Sequence, residues 1–143
     1  MVLDFYGVDK EEKELAELLG TDPNLGTDDK SIKRVAEELG FKVEIKNFAD
    51  FDDIQDWLDK KVPVIVDWFT IGRKDYPEDS VADGHYSVVV GLDEEFIYLQ
   101  DAEVGRMRKI GRDDFKRVWF DYTNAFPDTW ENMIIRQIIA VYI

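Results

Sequence analysis

Asp83-Gly84-His85-Tyr86-Ser87-Val88-Val89-Val90-Gly91 is an apolar run entered by a histidine, and Phe96-Ile97-Tyr98-Leu99-Gln100-Asp101 is a second run that ends in an aspartate. The connection between them is short enough for a hairpin. Adjacent antiparallel strands bring the start of one beside the end of the next, so His85 and Asp101 are expected side by side. An imidazole held by a carboxylate is the general-base half of a nucleophilic triad. The other half needs a serine or cysteine nucleophile, yet the chain contains no cysteine, and His85 is its only histidine. A lone histidine at a strand start serves structure as readily as catalysis. Gly84, which admits close backbone approach, and Asp101, in the orienting position, favour chemistry.

Upstream of this hairpin the pattern is helical. Residues 1–7 resemble the last turns of an amphipathic helix stopped by Gly7, not a natural beginning. Asp9-Lys10-Glu11-Glu12 has the form of a capping box with Asp9 as N-cap. Leu15, Leu18 and Leu19 then line one helix face up to Gly20. Thr27 or Asp28 caps the next helix, which buries Ile32, Val35, Ala36 and Leu39. Phe41-Lys42-Val43-Glu44-Ile45 alternates as a half-buried strand does. Asp50 opens a third helix with Ile54, Trp57 and Leu58 inward, and Val64-Ile65-Val66-Asp67-Trp68-Phe69 is expected at the centre of a sheet.

Residues 71–84 form a polar, turn-rich loop into His85, of the kind that carries function beside sheet ends. Beyond Asp101, residues 106–110 read as a further strand and Arg112-Asp113-Asp114 as the start of a helix holding Phe115, Val118 and Trp119. Residues 122–132 are irregular and aromatic, with Trp130 expected either to lie over a groove as an anchor for a partner or, the favoured reading, to pack with its segment on the sheet, and residues 134–143 read as one terminal strand. Helices first and hairpin-linked strands later argue for an α+β domain spanning 1–143.

A 45% apolar and 13% aromatic composition supports one folded domain. The net charge of −14 argues against nucleic acid and against an anionic membrane surface, because both demand clustered Lys and Arg. No apolar run approaches a membrane span and no signal peptide is evident, which suits a cytoplasmic protein. There is no phosphate-binding glycine loop and no Gly-x-Ser-x-Gly elbow, so no cofactor is implied. With one histidine and no cysteine, a zinc site would rest on carboxylates, which is poor chemistry for zinc, and no metal is expected. Asp22, Asn24 and Gly26 begin like a calcium loop, but Lys33 stands where the closing glutamate belongs.

From Tyr6 to Phe120 the order of motifs resembles the papain-like bacteriocin-processing cysteine peptidases, peptidase family C39. The matching pieces are residues 1–7, Glu14 to Asn24, Gly26-Thr27 with its helix, Leu39-Gly40-Phe41-Lys42-Val43, Val62-Pro63-Val64-Ile65-Val66, Gly84 to Gly91 and Tyr98-Leu99-Gln100-Asp101. The resemblance implies a papain-like fold with helices packed on a twisted antiparallel sheet and a cleft between them. It assigns His85 as general base and Asp101 as its orienting partner, while Asp83 and Tyr86 flank the base without an assigned role. In that family a cysteine opens a helix in a Cys-Gly-Pro-Ala-like motif, just after a glutamine of the oxyanion hole. By that match the nucleophile belongs about two turns before Met1. Ala102 stands where relatives usually carry proline.

Two functions follow from the resemblance. One is a cysteine-peptidase domain cleaving leader peptides, its nucleophile on a segment upstream of Met1. The other is a degenerate module that binds a peptide or partner protein without cleaving it. The acidity favours a basic peptide. Loss of half a central helix predicts an exposed apolar groove, self-association or a repacked N-terminus.

Overall fold

A computed structural model describes residues 1–70, 84–123 and 130–143. The expected loop over 71–84 and most of the irregular segment over 122–132 thus lie outside the described residues. Four helices and a strand lead the chain: α1 (Val2–Phe5), α2 (Glu12–Leu19), α3 (Asp29–Glu38), β1 (Lys42–Lys46) and α4 (Phe51–Asp59). Then come β2 (Val64–Phe69), β3 (Gly84–Leu92), β4 (Phe96–Asp101), β5 (Arg106–Gly111), α5 (Arg112–Val118), β6 (Phe120–Tyr122), a 3-10 turn at Trp130–Asn132, β7 (Met133–Ile135) and β8 (Ile138–Tyr142).

The helix starts follow local chemistry. Asp28 accepts from the Ser31 amide, and Asp50 with Asp53 forms a reciprocal capping box on α4. The box expected at Asp9 does not form. α2 begins two residues later, with Glu11 at its N-cap and no side-chain cap, because Lys13 gives the start no apolar staple. Gly20 closes α2 at φ +65°, a left-handed turn that suits glycine.

Among the described residues six strands form one antiparallel sheet in the order β1-β8-β2-β3-β4-β5, with β6 and β7 as a separate two-stranded antiparallel ribbon. β2 therefore is central, as its apolar run requires. The single terminal strand expected over 134–143 is instead two strands, broken at Arg136 and Gln137. Arg136 takes φ +47° there, which ends one ladder and lets the chain start another.

Alternation along the strands splits the core. One face presents Val64, Val66, Trp68, Val89, Ile97 and Leu99 to Ile54 of α4 and Phe115 of α5. The opposite face presents Ile139, Val141, Ile65 and Tyr86 to Ala36 and Ile32 of α3 and to Val2 of α1. Phe115 and Trp119 are fully buried on the first face, and Trp57 packs on the Tyr142 ring. Trp130 departs from expectation: it is 82% exposed, on a 3-10 turn that does not lay its indole on the sheet.

Candidate functional site

The β2–β3 register sets Trp68 opposite His85, and continuing the β3–β4 register sets Asp101 beside Ser87. Trp68, His85, Ser87 and Asp101 therefore share a sheet face. His85 Nε2 lies 2.9 Å from Asp101 Oδ1, so the two residues singled out in the sequence do meet. Asp101 is fully buried and the His85 side chain is 18% exposed, the carboxylate inside and the imidazole at the rim. With Nε2 facing Asp101, Nδ1 is the nitrogen left for a reacting group.

Two further contacts hold the carboxylate and a third holds its backbone. Asp101 ends β4 in an Asx turn: the Glu103 amide donates to Oδ1 at 2.9 Å, and the Gly105 amide donates to the Asp101 carbonyl. On the other side Arg108 Nε stands 2.8 Å from Oδ2, an ion pair whose angle is off the line of a hydrogen bond. Arg108 is directly across from Leu99 in the β4–β5 ladder, hence on the same buried face as Asp101. Trp68 closes the inner wall, its ring edge-on to the imidazole at 5.4 Å and its Nε1 donating to Ser87 Oγ at 3.0 Å.

The sequence pointed to the His85–Asp101 pair but not to Arg108, Trp68 or Glu103. A signal for Arg108 was present: in the Asp101–Arg106 hairpin, a basic residue two positions past the turn falls on the aspartate's face. Asp83 lies outside the described residues, while Tyr86 points to the opposite face and lines a groove there. Glu103 Oε2 comes within 3.9 Å of His85 Nε2, and donor atoms of His85, Asp101 and Glu103 all lie within 4.8 Å of one another. The fixed charge of Arg108 against Asp101 opposes a divalent ion at that point.

Two cavities lie against the opposite face of the sheet. A cavity of about 330 Å³ opens between the helices and the sheet, walled by Met1, Val2, Ile32, Tyr86 and Val88. A second, of about 660 Å³, continues past Met1 and Phe5 along Val88, Val90 and Gln100. Across the β2–β3 ladder from Tyr86, Asp67 is buried, with the Asp121 carboxyl as a neighbouring charge. Burial, then the Asp121 charge, pushes the Asp67 carboxyl up to about 9. Burial, then the Asp67 charge, likewise raises the Tyr86 phenol above its ordinary range.

His85, held by a buried carboxylate, stands at a strand entrance on a sheet faced by N-terminal helices. The model of the Peptidase C39 family matches residues 1–128, and the chain belongs to that family. The structure is similar to the crystal structure of the peptidase domain of Streptococcus ComA, a bi-functional ABC transporter involved in a quorum-sensing pathway. The TM-score is 0.66 at 23% identity, covering 99% of this chain and 84% of that one. No curated protein matches the chain. Among the described residues, no helix is long and apolar enough to cross a membrane.

Proposed function

We propose that this domain handles peptides in the cytoplasm with the base half of a cysteine-peptidase site, the thiol coming from a helix that is not part of these 143 residues. The observation that carries this reading is the 2.9 Å contact between His85 Nε2 and the buried Asp101, with Arg108 on the carboxylate's other oxygen. In the complete site His85 Nδ1 takes the thiol proton, the thiolate attacks a peptide carbonyl, and the imidazolium returns the proton to the leaving amine. Asp101 keeps the ring in the productive tautomer and stabilises its charged form. Family membership supports a peptide as substrate, and the net charge of −14 favours a basic one.

The absence of cysteine favours a second reading for the chain by itself: a module that retains peptides without cleaving them. One experiment separates the two. A helix bearing a Cys-Gly-Pro-Ala-like start is fused ahead of Met1, and peptide hydrolysis and thiol alkylation are measured with and without His85→Ala. Hydrolysis that falls at least 100-fold with His85→Ala supports the peptidase reading. Peptide binding with no hydrolysis in either protein supports the module, and equal hydrolysis in both removes His85 as the base.

A further inference from the structure

We propose that the open edge of β5 is a docking site for an extended acidic segment of another polypeptide, which adds to the sheet as a further strand. The proposal stands apart from the peptidase reading, because β4 lies between this strand and the strand of His85.

The β4–β5 ladder decides which backbone groups face outward. The Arg112 amide donates to the Glu95 carbonyl at 2.8 Å, and these two residues continue the register that pairs Gly111 with Phe96. Bonded and non-bonded pairs alternate along an antiparallel ladder, so Ile110, Arg108 and Arg106 also turn their amides and carbonyls toward β4. Met107, Lys109 and Gly111 turn theirs the other way. Among the described residues no strand pairs with β5 on that side. Three residues thus offer donors and acceptors at the spacing an added strand requires.

The side chains along this edge set the chemistry of the partner. Residues 106–112 hold four basic residues and no acidic one, in a chain whose net charge is −14. Two of the four are engaged: Arg108 pairs with Asp101, and the Arg112 guanidinium lies 4.8 Å from the centre of the Phe51 ring. Arg106 and Lys109 are exposed. The Lys109 ammonium rests over the Phe96 ring at 3.9 Å. Asp93, a carboxylate acting on Lys109 from the β3–β4 turn, already accepts from the Tyr98 hydroxyl and the Glu95 and Phe96 amides. Between the two cations Met107 is 56% exposed.

Arg106 and Lys109 are three residues apart on a strand and therefore face opposite sides of the sheet. An antiparallel segment with two acidic residues at the same spacing sets one against each cation, and an apolar residue beside the second falls on Met107. A second copy paired edge to edge would bring like charges together, which argues against self-pairing here. The other edge lacks this preference. On β1, Lys46 pairs with Asp53 at 2.6 Å, Lys42 lies over the Tyr142 ring, and Glu44 between them carries the opposite sign.

The test uses the full chain and a fluorescent peptide, Thr-Val-Glu-Thr-Val-Glu-Thr-Val, followed by anisotropy and by backbone NMR. The expected result is saturable binding in which the Met107, Lys109 and Gly111 amides shift and exchange their hydrogens at least tenfold more slowly. Replacing both peptide glutamates by lysine, or methylating the nitrogen of its central valine, should weaken binding at least tenfold. Arg106→Glu with Lys109→Glu should do the same. So should Met107→Pro, which removes an outward donor and leaves the β4 ladder its bonds. Absence of binding up to about 1 mM overturns the proposal, as do amide shifts confined to other parts of the chain. Equal binding of the lysine or N-methyl peptide overturns it as well, as does binding indifferent to the substitutions. A single-stranded DNA of eight nucleotides that binds as tightly as the acidic peptide also overturns it, since charge alone would then account for the affinity.

Discussion

Arg108 Nε stands 2.8 Å from Asp101 Oδ2, with 7% of the arginine side chain and none of the aspartate exposed. The pair sits behind the imidazole and fixes the far side of the carboxylate that orients it. Removing one member of a buried ion pair leaves a desolvated charge, which costs about 3–5 kcal/mol. Arg108→Met and Asp101→Asn are each expected to destabilise the domain by about that amount in urea unfolding. The double variant should lose clearly less than the sum, because it leaves no unpaired charge. Additivity within about 0.5 kcal/mol would show that the two side chains do not act as a pair.

Gly84→Ala tests the contact with Asp121. The added methyl needs space already held by the Asp121 carboxyl at 2.0 Å, so either β6 shifts or the carboxyl leaves its site. Overpacking of this kind costs about 1–3 kcal/mol, which lowers the melting temperature by about 3–10 °C. Adding Asp121→Gly should recover much of the loss by vacating the space. Thermal unfolding of the three proteins reads both effects, and a Gly84→Ala domain as stable as the wild type would remove the steric argument.

How far the sequence exposed this arrangement depended on whether a feature was local. The His85–Asp101 pairing was legible because one short hairpin fixes it: strand alternation and antiparallel direction bring the two residues together without help from elsewhere. The two faces of the sheet were legible for the same reason. Asp67 and Asp121 were not, since they meet only because β6 folds back over Gly84, a contact across 54 residues that no periodicity records. The split of the last strand escaped notice because Arg136 carries its positive φ without the glycine or asparagine that usually signals one. Trp130 misled because a tryptophan in an aromatic stretch suggests burial, whereas a short 3-10 turn turns it outward.

Asp67 also gives stability a pH dependence of known sign. Its folded-state pKa is raised to about 9 from an ordinary value of 3.8, so the folded chain holds a proton that the unfolded chain releases. Below about pH 4 both states are protonated and Asp67 has no effect. Between about 4 and 9 its contribution grows steadily less favourable as pH rises. Asp67→Asn removes that penalty and still offers an amide donor to Asp121. The variant should therefore gain little over the wild type at pH 4 and up to about 1.4 kcal/mol more for each pH unit from there to pH 8. Paired urea titrations at the two pH values measure the difference, and a gain that shrinks as pH rises would contradict the raised pKa.

The groove beside α1 leads to a prediction about association. Met1, Phe5 and Val90 are each more than half exposed, and they border one continuous apolar trough with Leu58, Val88 and Leu92. Val90 stands out because the β3–β4 register shifts between Val89 and Gly91, and the bulge turns its side chain to solvent. An open apolar surface of this size is costly in water, and a second copy can cover it by laying its own α1 rim across the trough. The net charge of −14 works against that contact, so salt should strengthen it by screening. Sedimentation velocity across a hundredfold concentration range is expected to reveal a monomer–dimer equilibrium that shifts toward dimer from 50 to 500 mM NaCl. Val90→Lys with Phe5→Glu should move the midpoint at least tenfold higher while leaving the melting temperature within a few degrees, since both side chains are exposed in the monomer. A wild-type chain that stays monomeric at every concentration and salt, or a dimer untouched by the two substitutions, would put the contact somewhere other than this trough.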